Sequence, residues 1–220
     1  MLERENNPKV ALVSVGIILF FVIILAVPYS REIFRVISGE HPFLLGFIKF
    51  ALLATVGEII SLKFSQGVWK CPSKIIERAF IWGILGVIIT FALKVFASGI
   101  GSVVQNGLLP GEGNLFLTAL YTSIAMNVLF GPTMMGIHRI TDKNIDMKVE
   151  GVQDITIYKV VQNVNWGSFV SFVVLKTIPL FWIPAHTITF MLPSEYQTIM
   201  AAFLSVALGI ILGFSAKIKS

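Results

Sequence analysis

Charge is scarce in this chain. Asp, Glu, Lys and Arg make up 13% of its 220 residues, against 55% for hydrophobic residues. Soluble domains carry about 25% charged residues, so this shortage, with a mean hydropathy of +0.84, points to an integral membrane protein. Cysteine is reduced to Cys71, in the stretch GVWKCPSK. One thiol excludes an intrachain disulfide and a cysteine-based metal site, and Cys71 is assigned no role. Histidine occurs only at His41, His138 and His186, without an HExxH motif and without an acidic pair on one helix face. The usual signatures of an intramembrane hydrolase are therefore missing. His138 and Asp142 stand at i, i+4 and offer two ligands for a metal at the inner surface, but two ligands lack a third. The expectation is no enzyme, no metal and no cofactor.

What is present is apolar sequence in helix-length runs. Six segments, about 10–28, 43–62, 79–100, 115–137, 167–190 and 197–216, can each cross about 30 Å of hydrocarbon as a helix. The longest polar connection, about 139–165, is too short to enclose a core. The expected fold is all-α: a polytopic membrane helix bundle of six spans, with residues 1–220 forming a single integral membrane domain. The first run, VALVSVGIILFFVIILAVPYS, exceeds a secretory h-region and precedes no A-x-A site, so it reads as an uncleaved span. Basic residues set the orientation. One side collects Arg4, Lys9, Lys63, Lys70, Lys74, Arg78, Arg139, Lys143, Lys148, Lys159, Lys217 and Lys219, and the other only Arg31 and Arg35. Cytoplasmic loops carry the excess of Lys and Arg, which places both termini inside, and the expected location is the plasma membrane, as a multi-pass chain. This asymmetry accounts for the net charge of +5, leaves no basic surface for nucleic acid, and makes the lipid bilayer the first partner.

The connections carry their own signals. SREIFRVISG reads as a short helix on the outer interface, capped by Ser30 and stopped at Gly39. The Gly-rich ASGIGSVVQNGLLPGEGN reads as an irregular loop. DITIYKVVQNVNW, with Ile157, Val160, Val161 and Val164 at helical spacing, reads first as an amphipathic stem of span five, with a separate surface helix as the alternative. In span six, Ala201, Ser205, Gly209 and Gly213 form a ladder of small residues at i+4. Such a ladder lets backbones approach closely, either inside the bundle or at a homo-oligomer seam. In span four, Ser123, Asn127 and Gly131 share a stripe, and Asn127 needs a partner in hydrocarbon, whether a neighbouring helix or a wet cavity.

Four ionisable residues lie inside spans: Lys49, Glu58, Lys94 and Lys176. A Lys at a helix centre costs about 2.5–3.5 kcal/mol on insertion scales. Glu58 and Arg78 lie near the inner surface on consecutive antiparallel helices and are expected to form a structural ion pair. Lys49 and Lys94 lie within reach of the outer headgroups by snorkelling, or else line a watery path with Lys176 and His186. Lys176 sits near the midplane. Pro179 and Pro184 follow it and remove backbone donors, which is tolerated only where protein or water replaces them. Lys49, Lys94, Asn127, Lys176 and His186 are accordingly the candidate pore- or solute-lining residues.

A set of motifs carries a family resemblance. GEIIS at Gly57–Ser61, the Arg78 to Gly83 spacing, Asn127 with Pro132, and FWIPAHTITFMLPSEYQ with Trp182, Pro184, Pro193 and Tyr196 resemble, in order, the signatures of the peroxisomal membrane protein 22 kDa (Mpv-type) family. Glu58 stands where that family has Asp, and Gln197 where it has Arg. The likeness covers about residues 43–216, and the span at 10–28 is additional to it. The resemblance implies a small helical membrane protein associated with pore formation or small-solute passage.

The function expected is a channel or transport path for small solutes, anionic ones favoured because Lys49, Lys94 and Lys176 outnumber Glu58. The alternative is a substrate-binding membrane subunit of a multi-component transporter. An intramembrane enzyme or a structural scaffold comes after these.

Overall fold

The computed structural model describes residues 6–218, with side chains to 214; Arg4 and Lys219, and the side chain of Lys217, fall outside that description. Eight helices follow one another, and no strand occurs among the described residues: α1 Pro8–Ala26, α2 Pro28–Glu40, α3 Pro42–Gln66, α4 Ile75–Gln105, α5 Leu115–Val149, α6 Ile157–Gln162, α7 Trp166–Phe190 and α8 Ser194–Ile218. Six of them, α1, α3, α4, α5, α7 and α8, are long and apolar enough to cross a membrane. The protein is an all-α polytopic membrane bundle. It divides into two compact units: the chain up to Val87 together with that from Thr198 onward, and Ile88–Gln197.

In the first unit α3 is the hub. Gly46, Lys49, Phe50, an unbroken run from Leu53 to Gly57, and Ile59 and Ile60 are buried, while Leu44, Ile48 and Leu52 form an exposed stripe along the same helix. The span-six ladder supplies one neighbour. A Cβ at Gly57 would lie 2.7 Å from the Ser205 carbonyl oxygen, and one at Gly209 would collide with the Gly57 backbone. Glycine is thus required on both helices for this approach, and the ladder is filled by α3 of the same chain. As a seam for a second copy it is already taken. On another flank Phe21 of α1 meets Phe203 of α8 edge-on, at 6.4 Å. The basic end is tied together where the Asn7 amide donates to the Trp69 carbonyl and the Trp69 amide to Asn6 Oδ1, both at 2.8 Å. The start of α1 and the α3–α4 loop therefore share one side, as the charge count requires.

α2 begins at Pro28, with Val27 as its N-cap, and Ser30 is not the cap: its hydroxyl donates back to the Ile24 carbonyl at 3.0 Å. Proline at the first helical position costs no hydrogen bond, since that amide has no partner there anyway. On its exposed face Arg35 clamps Glu32 through bonds of 2.6 and 3.0 Å. That hydrogen bond holds the Glu32 carboxyl below the usual range.

The second unit departs from the sequence reading in three places. α4 runs on to Gln105, through the first half of the expected loop, and the chain turns only where Gly107, Gly111 and Gly113 adopt positive φ. α5 extends to Val149. α6 is a separate helix, not the stem of span five: Thr156 caps its start, Asn163 ends it, and Asn165 caps α7 through the Ser168 amide. Asn and Thr compete for backbone donors in this way and break a helix whose apolar spacing would otherwise continue.

Candidate functional site

Prolines shape the two helices that build the site. Pro132 offers no N–H, and in a regular helix its ring presses on the carbonyl four residues earlier. The preceding turn, Met126–Phe130, opens into a π-helix. In α7 the same chemistry acts twice, at Pro179 and Pro184, and Phe169–Trp182 is π-helical throughout. The wider turn is partly held by Thr177, whose hydroxyl donates to the Phe172 carbonyl five residues back, at 3.1 Å. Stretches of π-helix are concentrated at functional sites, and nothing in the apolar periodicity announces them.

The Leu115–Ala125 part of α5 packs closely along the Ile183–Phe190 end of α7. Between them lies a chain of polar contacts. Ser123 Oγ donates to the Ile183 carbonyl at 2.7 Å, and Thr187 Oγ1 donates to the same oxygen at 2.8 Å. Asn127 Nδ2 donates to the Ser123 carbonyl at 2.8 Å. Because that oxygen can only accept, the Asn127 amide has one orientation, and its Oδ1 faces His186 Nδ1 at 3.1 Å. Oδ1 cannot donate, so Nδ1 carries a proton, and in the neutral form of the ring Nε2 is the acceptor. Asn127 is 4% exposed and His186 6%.

Trp182 completes the cluster. Its ring stacks on the His186 imidazole with centroids 5.1 Å apart and planes inclined by 27°. The indole Nε1–H is buried and has no hydrogen-bond partner. An unmade bond of this kind costs about 1–3 kcal/mol. The site therefore holds an unused donor on Trp182 and an imidazole acceptor on His186 in stacked rings, with Phe190 6.5 Å from the imidazole and Met126 next to Asn127 in the sequence, both buried. A small solute bearing an acceptor oxygen matches the donor.

The other expected positions are distributed elsewhere. Lys49 belongs to the first unit and is 2% exposed, its Nζ donating to Ser38 Oγ at 3.0 Å and lying 4.3 Å from the Phe34 ring centre. It neither snorkels nor faces a wet path; it ties α2 to α3. Phe34 and Ser38 are spaced one turn apart on α2, a signal available in the sequence but masked by the polar face around it. Lys94 and Lys176 are exposed and are not buried with Asn127 and His186. Glu58 accepts from Trp82 Nε1 at 2.6 Å, and Arg78 Nε donates to the Ser73 carbonyl at 3.0 Å. Trp82 stands one turn beyond Arg78 on α4, and no charge marks it in the sequence as a partner for a carboxylate. His138 Nε2 and Asp142 Oδ2 are 3.4 Å apart within the second unit. Of the motif positions, Gly57 makes the α3–α8 contact, Pro132 and Pro184 set the π geometry, Trp182 enters the site, and the Pro193 carbonyl accepts from the Tyr196 amide in the turn leading into α8. No family model, curated protein or solved structure matches the chain.

Proposed function

We propose that this multi-pass membrane protein provides a transport path for small polar solutes, with the Trp182–His186–Asn127 cluster as the point where the solute is recognised. The observation that carries the reading is the buried indole N–H without an acceptor, placed beside a histidine whose tautomer leaves Nε2 free to accept. A solute that supplies one oxygen acceptor, and a hydrogen to Nε2, satisfies both groups at once. Anionic or acidic solutes are favoured, because an ionised oxygen is the stronger acceptor for the unpaired indole N–H. The expected likeness to Mpv-type proteins, and residence in the plasma membrane, belong to this proposal.

The test is solute flux through the purified chain in liposomes, comparing small carboxylates, inorganic anions and neutral polyols with a cation control. Wild type should pass at least one small oxygen-bearing solute. His186→Gln should reduce that flux by about tenfold, the effect of one hydrogen bond of about 1.4 kcal/mol. Impermeability to every solute tried, or a His186→Gln variant with unchanged flux, overturns the assignment.

A further inference from the structure

On the first unit, α1, α3 and the start of α4 enclose an open groove of about 360 Å³. Its walls are almost wholly aliphatic, with Val10, Val13 and Ile17 on α1 facing Leu52, Val56 and Ile59 on α3. The exceptions are informative. Ser14 and Thr55, one on each helix, both line the groove, and neither hydroxyl finds a hydrogen-bond partner in the protein, although the residues are 1% and 6% exposed. Two unpaired hydroxyls from different helices in one groove are unexpected in an apolar contact, because either could bond a carbonyl of its own helix. On the basic side Lys9 lines the groove, five residues and so about 7–8 Å of helix rise from Ser14. Lys70 lies in the adjoining α3–α4 loop.

We propose that this groove is a binding site for one anionic glycerophospholipid of the inner leaflet. From the basic end the lining of α1 reads Lys9, Val10, Val13, Ser14 and Ile17, so an ammonium, an aliphatic step, a hydroxyl and further aliphatic wall follow one another, as phosphate, glycerol backbone, ester carbonyl and acyl chain do along such a lipid. Lys9 meets the phosphate, its stem lying along the apolar wall. Ser14 and Thr55 donate to ester oxygens, which ends their lack of acceptors. One acyl chain fills the groove between α1 and α3. The site depends on none of the residues assigned to solute recognition, so the two proposals fail separately.

The experiment uses the full-length chain, stripped of lipid in detergent and titrated by native mass spectrometry with phosphatidylglycerol and phosphatidylcholine of identical chains. One equivalent of phosphatidylglycerol should bind more tightly than phosphatidylcholine. Lys9→Gln should erase about fivefold of that preference, the ratio for one basic side chain at about 1 kcal/mol, and leave phosphatidylcholine unaffected. Val13→Trp, which places an indole in the groove at an exposed position, should abolish the bound equivalent. The ether-linked analogue should bind wild type as weakly as the ester lipid binds Ser14→Ala/Thr55→Ala. Equal affinity for the two headgroups, or a Lys9→Gln variant that keeps the preference, overturns the proposal. So does a hydroxylamine-labile acyl group on Cys71, since the groove would then hold a covalent chain.

Discussion

An indole that gives up its hydrogen bond inside a bilayer costs the protein stability, and Trp182 is the residue where that cost is most visible. Phenylalanine at this position keeps a flat ring against His186 while removing the orphan donor. If the N–H serves only a solute, Trp182→Phe should gain about 1 kcal/mol, read as a melting temperature raised by about 2–4 °C in detergent, while the KM for transported solute rises. A structural role gives the opposite pair of results, a lower melting temperature with unchanged KM, and would remove Trp182 from the recognition site. Lys49 illustrates the reverse case at the same scale. Its ammonium is engaged by Ser38 and Phe34, so a charge whose depth suggests a functional role serves to hold two helices together.

Between elements, close contact is governed by what the backbones allow. Gly209 sits against the Gly57 carbonyl, and neither backbone can yield as a flexible side chain would. Gly209→Ala should therefore cost about 1–3 kcal/mol through overpacking. Gly16 on α1 has open space around its Cβ position, and Gly16→Ala should be neutral or gain up to about 1 kcal/mol from helix propensity. Thermal unfolding of the two variants side by side separates packing from propensity; equal effects would show that the α3–α8 contact does not limit stability. Elements of this kind are largely legible in the sequence. Hydropathy over a span-length window reports the cost of placing each residue in hydrocarbon, and it locates all six spans to within a few residues except where α4 and α5 run on past the apolar region. The ladder in α8 is legible as a packing face, though its partner is not. The π-helices are not legible, because their cause is local, a proline ring against a carbonyl, and their consequence is a change of register that the apolar pattern averages away. Half the site follows from that: Asn127 and His186 stand out as polar groups within apolar spans, but their meeting, and the part of Trp182, depend on the widened turns.

For the whole molecule, the asymmetry of twelve basic residues against two predicts which way the chain faces the membrane. The bonds joining Asn6 and Asn7 to Trp69 place the start of α1 and the α3–α4 loop on the same side, so a probe in that loop reports the orientation of both. The chain contains its own probe. Cys71 is the single thiol, is exposed, and lies in that loop between Lys70 and Lys74. A membrane-impermeant maleimide should leave Cys71 unlabelled in intact cells and label it in inside-out vesicles, with a permeant maleimide labelling both. Labelling from outside in intact cells would reverse the orientation and place the lipid groove in the outer leaflet, because every assignment of side made from the charge count rests on the same positive-inside asymmetry.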